Sequence, residues 1–227
     1  MANPTLIGSA TEVELAGSQS TVITTTQNHT AGQLIVVAVT CQAVRTTGAM
    51  TDSVGNTYTK IVEASNTGDC KATLFRSAGS IALPSGGTIS LQTTGISGGE
   101  VCMIAATVAP YRNVTDASNT ATAETGDPTI GITTVAAKTI SFACSGQMYS
   151  LAEDTYSGDA DWTVIDMVGP DMETTVLLLT FAYRVRTSAG ADTWTNAWDT
   201  SDVPWAAAVI SMELIEGIDN LPILGVS

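Results

Sequence analysis

Charge is scarce in this sequence. Of 227 residues only 13% are Asp, Glu, Lys or Arg, and only 8 are Lys or Arg against 22 acids. The charged share is about half that of an ordinary soluble domain. The formal net charge of −14 therefore comes from missing bases and not from acidic runs. Binding along a phosphate backbone or an anionic lipid surface needs clustered cations, so neither nucleic acid nor membrane is an expected partner. Long hydrophobic runs are also lacking. Runs such as Leu34 to Val39 and Val176 to Leu179 fall far short of a membrane span. The N-terminus, Met-Ala-Asn-Pro-Thr-Leu, has neither a basic n-region nor an apolar h-region. The expectation is a soluble chain made in the cytoplasm without a signal peptide. At 44% apolar the chain is too hydrophobic for an acidic disordered tail, and it can bury a sizeable core.

Cysteine is sparse and spread out. Cys41, Cys70, Cys102 and Cys144 form no Cys-x-x-Cys pair and have no flanking His, which argues against zinc. Three of them, Cys41, Cys102 and Cys144, fall on the apolar parity of expected strands. They read as buried thiols acting as small hydrophobes, with one inter-sheet disulfide as the alternative.

What is abundant is threonine: 36 residues, about one in six. Thr is β-branched and favours strands over helix interiors. Period-two alternation and apolar runs bounded by turn residues give ten or eleven strands. They are Glu12–Leu15, Ser20–Thr26, Leu34–Gln42, Thr57–Glu63, Ala72–Ser77, Thr88–Thr93, Val101–Ala109, Lys138–Cys144, Trp162–Met167, Thr174–Arg186 and Trp205–Ile215. No segment carries a helical stripe. The breakers Val54-Gly55-Asn56, Ser85-Gly86-Gly87 and Ser97-Gly98-Gly99 suit β connections. The expected fold is all-β, an antiparallel two-sheet sandwich of jelly-roll type with extended terminal segments. The expected organisation is an N-terminal arm or edge strand over 1–19, the sandwich over 20–215 and a tail over 216–227. Asn113 to Ala136, polar and Thr-rich, reads as a long connection across the sandwich, with a boundary between halves as the alternative. No repeat of solenoid length is visible.

Chemistry-bearing motifs are thin. His29 is the single histidine and reads as a solvated loop residue. Gly95-Ile96-Ser97-Gly98-Gly99 matches the G-x-S-x-G string of a nucleophile elbow. That elbow needs a following helix and a later His, so the match reads as a hairpin loop. Gly158-Asp159-Ala160-Asp161 offers Asp159 and Asp161 as a weak candidate calcium pair, since hard cations take such oxygens. The twelve-residue calcium loop is absent, and a solvated acidic loop is the simpler reading. Trp194-Thr195-Asn196-Ala197-Trp198 lies between two strong strands. Trp194 and Trp198 are therefore candidates for a glycan or partner contact, or else plug the end of the sandwich. The tail residues Leu221, Pro222, Ile223 and Leu224 form an apolar stretch that can tuck into its own fold or lie on a neighbour. No catalytic residue and no cofactor is expected.

Three segments in order carry a resemblance. Gly32-Gln33-Leu34-Ile35-Val36-Val37-Ala38-Val39 opens a strand. Thr51-Asp52-Ser53-Val54-Gly55-Asn56-Thr57-Tyr58-Thr59 makes an Asp-Ser-x-Gly-Asn-x-Tyr hairpin. Val203-Pro204-Trp205-Ala206-Ala207-Ala208-Val209 begins the last long strand. This order resembles jelly-roll sandwich proteins of tailed phages and bacteria. Tyr111-Arg112-Asn113-Val114-Thr115-Asp116 resembles their Tyr-x-Gly-Val-Asp connection, with Asn113 in place of the glycine. The resemblance covers roughly residues 20 to 215 and rests on turn and core residues, so it implies a fold and no active site. In phages such proteins are virion structural or decoration components. The function this implies is a non-enzymatic virion structural protein, a capsid decoration protein or a tail or fibre component. Its partners would be other virion proteins and copies of itself. The alternatives are a glycan-binding module using Trp194, Trp198 and the Asp159/Asp161 loop, or an extracellular filament subunit that donates its tail. An enzyme is the least favoured class, since acid–base work would rest on carboxylates alone.

Overall fold

The computed structural model describes residues 3–12, 19–67, 69–77, 81–95, 100–108, 111–136, 138–150, 158–169, 175–197 and 203–214. Among them it contains fifteen strands and no helix. In order these are β1 Thr5–Glu12, β2 Gln19–Thr24, β3 Leu34–Gln42, β4 Arg45–Asp52, β5 Tyr58–Ser65, β6 Cys70–Ser77, β7 Thr88–Gly95, β8 Val101–Val108, β9 Tyr111–Ala123, β10 Thr129–Thr134, β11 Thr139–Ser150, β12 Thr163–Val168, β13 Thr175–Arg186, β14 Gly190–Thr195 and β15 Trp205–Leu214. All pairings are antiparallel.

The strands form four sheets. Two have five strands, in the orders β1-β8-β3-β6-β5 and β12-β13-β11-β15-β9. One has three, β2-β7-β4, and one has two, β10-β14. Three apolar layers lie between them. Ile23, Ile89 and Leu91 of the three-stranded sheet meet Ile35, Val37, Val39 and Met103 of the first five-stranded sheet. The opposite face of that sheet, with Val36, Ala38, Leu74 and Ile104, meets Phe142, Leu179, Phe181, Ala208 and Ile210 of the second. Ala143, Ala182, Ala207 and Val209 on the far side then meet Ile130, Ile132 and Trp194 of the two-stranded sheet. The stack is thus four layers deep, and both central sheets are buried on both faces. A strand with no wet face needs apolar residues at both parities. This accounts for the unbroken runs of β3 and β8, buried at almost every position.

The two ends of the chain have the same topology. In the first half β1-β8-β3-β6 against β2-β7-β4 is the strand order of a jelly roll, with β5 pairing onto β6. If β1, β2, β3, β5, β6, β7 and β8 are matched in chain order to β9, β10, β11, β12, β13, β14 and β15, both sheets of the second half follow with the same neighbours. The place that β4 has in the first half falls at residues 151–157 in the second, outside the described residues. The two jelly rolls pack by their five-stranded sheets, and the contacts come in matched pairs. β6 touches β15 as β13 touches β8, β5 touches β9 as β12 touches β1, and β3 crosses β11. This is the self-complementary pattern of a two-fold dimer, here within one chain.

The expected all-β antiparallel sandwich is what the structure shows, built as two jelly rolls, with fifteen strands among the described residues. Residues 5–12 form the edge strand β1. One expectation is corrected. The stretch 113–136 is not a long connection but most of β9 and all of β10. Its inward positions on β9 are the small Ala117, Ala121 and Ala123, which give no strong apolar alternation. The tail over 216–227 lies outside the described residues.

Candidate functional site

The hairpin between β4 and β5 is built by one carboxylate. Asp52 Oδ1 accepts the Val54 and Asn56 amides at 3.1 and 2.9 Å, and Oδ2 accepts Asn56 Nδ2 and the Tyr58 hydroxyl at 2.8 and 3.1 Å. Gly55 takes φ +90 at the tip, the left-handed region that glycine enters without penalty. Asn56 reaches on to the Ile81 backbone, accepting its amide at 2.8 Å and donating to its carbonyl at 2.9 Å. Burial, and then the Asp52 charge and hydrogen bond, push the Tyr58 phenol up. The Asp-Ser-x-Gly-Asn-x-Tyr string is therefore a turn built around the Asp52 carboxylate and tied by Asn56 to Ile81 and by Ser53 Oγ to the Thr88 amide.

Two charged clusters lie at the rims of the sandwiches. In the first, Glu63 Oε2 accepts from Lys60 Nζ at 2.9 Å, Thr47 Oγ1 at 2.7 Å and Thr73 Oγ1 at 3.1 Å. Burial raises the Glu63 pKa, but the bonds from Lys60, Thr47 and Thr73 outweigh it, and the carboxyl is held below its ordinary range. In the second, Asp192 on β14 points into the second sandwich and is bound by Arg184 and Arg186 of β13. Arg184 also meets Asp161 at 2.9 Å. By register Asp192 stands where Ile89 stands in the first jelly roll, so a polar cluster replaces core there. Past the end of β14, Asn196 Nδ2 donates to Ser145 Oγ, Gln147 Oε1 and Thr180 Oγ1. Sequence reasoning missed this cluster. The one signal was two arginines at period two, Arg184 and Arg186, in a chain with few bases.

Asp159 and Asp161 are not set as a cation pair. Asp159 Oδ1 accepts the Asp161 amide at 3.0 Å within the turn before β12, and the Asp161 carboxylate faces the Arg184 guanidinium. Among the described residues no three His, Cys, Asp or Glu side chains gather as ligands.

Trp194 is a second correction. It sits in β14, is fully buried, and packs on Trp162 with ring centroids 6.1 Å apart. It cannot offer a face to a sugar or a partner. The strand was hidden because its inward residues are Asp192 and Trp194 with only Ala191 and Thr193 beside them, so apolar alternation is broken. Trp198 and the tail residues Leu221, Pro222, Ile223 and Leu224 lie outside the described residues.

His29 is not a solvated loop residue. It is buried, its Nδ1 lies 2.8 Å from Thr107 Oγ1, and its backbone bridges Leu83. The Gly95–Gly99 string joins β7 to β8, two strands, with 96–99 outside the described residues.

The four cysteines are free and buried. Three tie the jelly rolls together: Cys70 Sγ lies 3.2 Å from the Gly146 carbonyl, Cys102 Sγ 3.4 Å from that of Leu177 and Cys144 Sγ 3.8 Å from that of Thr73. Burial is the leading cause that pushes Cys41 and Cys70 up to about 12, and Cys102 and Cys144 further. A thiol so held is not a nucleophile at neutral pH.

The surfaces left for recognition are of two kinds. One is an open cleft of about 460 Å³ among β9, β10 and β14, lined by groups including Ser118, Asn119, Thr133, Asp192 and Thr193. The other is the pair of outward faces of the outer sheets. On β2-β7-β4 the outward positions are Ser20, Val22, Thr24, Thr46, Thr51, Thr88, Ser90, Gln92 and Thr94. On β10-β14 they are Thr129, Gly131, Thr133, Ala191, Thr193 and Thr195. None of these carries a charge.

Comparison with known proteins finds no matching family model, no matching curated protein and no matching solved structure.

Proposed function

We propose that this chain is a non-enzymatic structural subunit that acts by protein–protein docking in a symmetric assembly. Within that class we favour a tailed-phage virion protein, a capsid decoration protein or a tail or fibre component. The observation that carries the reading is the pair of jelly rolls stacked back to back, which leaves uncharged outer sheet faces at both ends of the molecule. Such faces suit docking over area better than capture of a small ligand. The polar clusters found inside are engaged in turns and rims. The Asp-Ser-x-Gly-Asn-x-Tyr hairpin supports the same reading through its resemblance to jelly-roll proteins of phages.

The test is cosedimentation of the purified protein with particles of its source, followed by electron microscopy of the decorated particle. Ordered density at symmetric positions is expected. A protein that stays in the supernatant with intact particles and isolated tails overturns the reading. A glycan-binding module remains as a second reading because the cleft beside Asn119 and Asp192 is lined by amide, hydroxyl and carboxylate groups. Binding on a glycan array that is lost in Asn119→Ala would favour it.

A further inference from the structure

We infer that the two-stranded sheet β10-β14 is a detachable cover on the second jelly roll, which opens as a unit while the rest of the molecule stays folded. The inference goes beyond the assembly reading and does not depend on it.

The first argument is the layer beneath the cover. The two five-stranded sheets cross at Thr40 and Gly146, and with these matched every position of the layer has a counterpart in the first jelly roll. Where β3 sets Ile35, Val37 and Val39 under its outer sheet, β11 sets Ser141, Ala143 and Ser145. Where β6 has Phe75, β13 has Ala182. Where β8 has Met103, β15 has Ala207. Smaller side chains take less apolar surface out of water, so this cover gains less by lying down than β2-β7-β4 does. Trp162, Trp194 and Trp205 fill part of the space that the small residues leave.

The second argument is unmade hydrogen bonds. Thr139 Oγ1, Ser141 Oγ, Ser211 Oγ, Asn196 Oδ1 and the indole nitrogens of Trp194 and Trp205 are buried in this layer with no hydrogen-bond partner. Among the described residues the matching layer of the first jelly roll has one such atom, Thr21 Oγ1. A buried polar group without a partner keeps its full desolvation cost, and water that reaches it on opening returns that cost. The third argument is how the cover is held. The ties include single side-chain bonds: Trp162 Nε1 to the Thr193 carbonyl at 3.0 Å, Asn119 Nδ2 to that of Gly131 at 2.7 Å and Arg186 Nη1 to that of Ala191 at 2.9 Å. Arg184 adds its ion pair with Asp192. The cover has two strands among the described residues, and a two-stranded sheet has little stability of its own. Proteins open first in units of this kind.

The test is native-state hydrogen exchange of the full chain, followed amide by amide by NMR over a series of low denaturant concentrations. The β2-β7 ladder is the internal control. Amides of the β10-β14 ladder should exchange together, roughly tenfold or more faster than matched β2-β7 amides once intrinsic rates are allowed for. Their denaturant dependence should be weaker than that of the β11-β13 amides. Ser141→Ala and Ser211→Ala each remove an unpaired hydroxyl and should slow exchange of β10-β14 several-fold, with β2-β7 unchanged. Trp162→Phe removes the bond to Thr193 and should speed it by about fivefold or more. Thermal unfolding of each variant confirms that it is folded. Equal protection of β10-β14 and β2-β7 overturns the inference. So does one common rate for β10-β14 and β11-β13, which would mean that the second jelly roll opens whole. Serine variants that exchange no more slowly than wild type overturn it as well, because the unpaired hydroxyls would then not drive the opening.

Discussion

The pseudo-two-fold relation between the jelly rolls is readable at a single pair of residues. Thr40 pairs with Ala72 and Cys102 in the first half, and Gly146 pairs with Leu179 and Ala206 in the second, which are matched positions. At a two-fold crossing matched residues face one another, and two side chains do not fit. A Cβ on residue 146 would lie 2.0 Å from Thr40 Oγ1, 2.9 Å from Thr40 Cβ and 3.0 Å from the Lys71 carbonyl. Gly146→Ala should therefore cost about 3 kcal/mol by overpacking. Thr40→Gly should cost about 2 kcal/mol through the lost Thr40–Lys71 bond and the added backbone freedom. Because the second change removes the obstacle to the first, the double variant should be more stable than the sum by about 1–3 kcal/mol in urea unfolding. Strict additivity would mean that the sheets do not cross there.

A second residue-scale prediction concerns Glu100. It is buried at the junction of the two halves, and its carboxylate accepts the Leu177 amide. Burial raises its pKa above the ordinary value near 4.5, and the Leu177 bond opposes this only in part. A carboxyl whose folded pKa is raised contributes its full stability below the unfolded pKa. It loses that stability as pH rises from about 4.5 through the folded value. Glu100→Gln removes the ionisation, so the difference in unfolding midpoint between variant and wild type should shift in favour of the variant between pH 4 and pH 7 (roughly the span of glutamate titration). A difference independent of pH would place the carboxylate in water.

At the scale of strands, the sequence is legible where the inward positions are large and apolar. β3, β8, β11 and β15 were read from unbroken or alternating apolar residues, and the jelly-roll class followed. Strands whose inward positions are small or charged were not legible. β9 is lined by alanines, β4 is interrupted by a bulge between Thr47 and Met50, and β14 carries Asp192 inward. The candidate site suffered for the same reason: Trp194 was placed on a loop because Asp192 masked its strand. Nor does one chain show an internal duplication when matched positions have diverged as far as Ile89 and Asp192. The cluster that hid β14 also holds it. The Asp192 side chain is 4% exposed and meets two arginines, so Asp192→Ala leaves their charges without it. Breaking a buried pair costs about 3–5 kcal/mol, and the partial exposure of Arg184 puts the expectation near the lower figure. Asp192→Ile, which copies the residue of the first jelly roll, should not rescue it unless Arg184 and Arg186 are also made apolar. Chemical denaturation of the three variants checks the order.

For the whole molecule, the question is whether the halves are held by their interface or by their linker. The interface buries Val36, Leu74, Ile104, Phe142, Leu179, Phe181 and Ile210, with Phe142 stacked on Phe181 at 5.7 Å. Each such side chain contributes about 1.5–3 kcal/mol when taken from water. Asn66 of the first half adds bonds to the Ala123 and Trp205 carbonyls of the second at 2.8 and 3.3 Å. The linker between β8 and β9 is two residues long, 109–110. A protease site placed there and cut in the folded protein should leave two chains that co-elute as one particle. Cutting converts an intramolecular contact into a bimolecular one, so the unfolding midpoint should fall and become dependent on protein concentration. Circular dichroism and gel filtration of cut and uncut protein, each over a hundredfold dilution (about 2.7 kcal/mol in a bimolecular equilibrium), measure both effects. Separation of the halves at micromolar concentration without denaturant would show that the link, and not the shared sheet face, holds the four layers together.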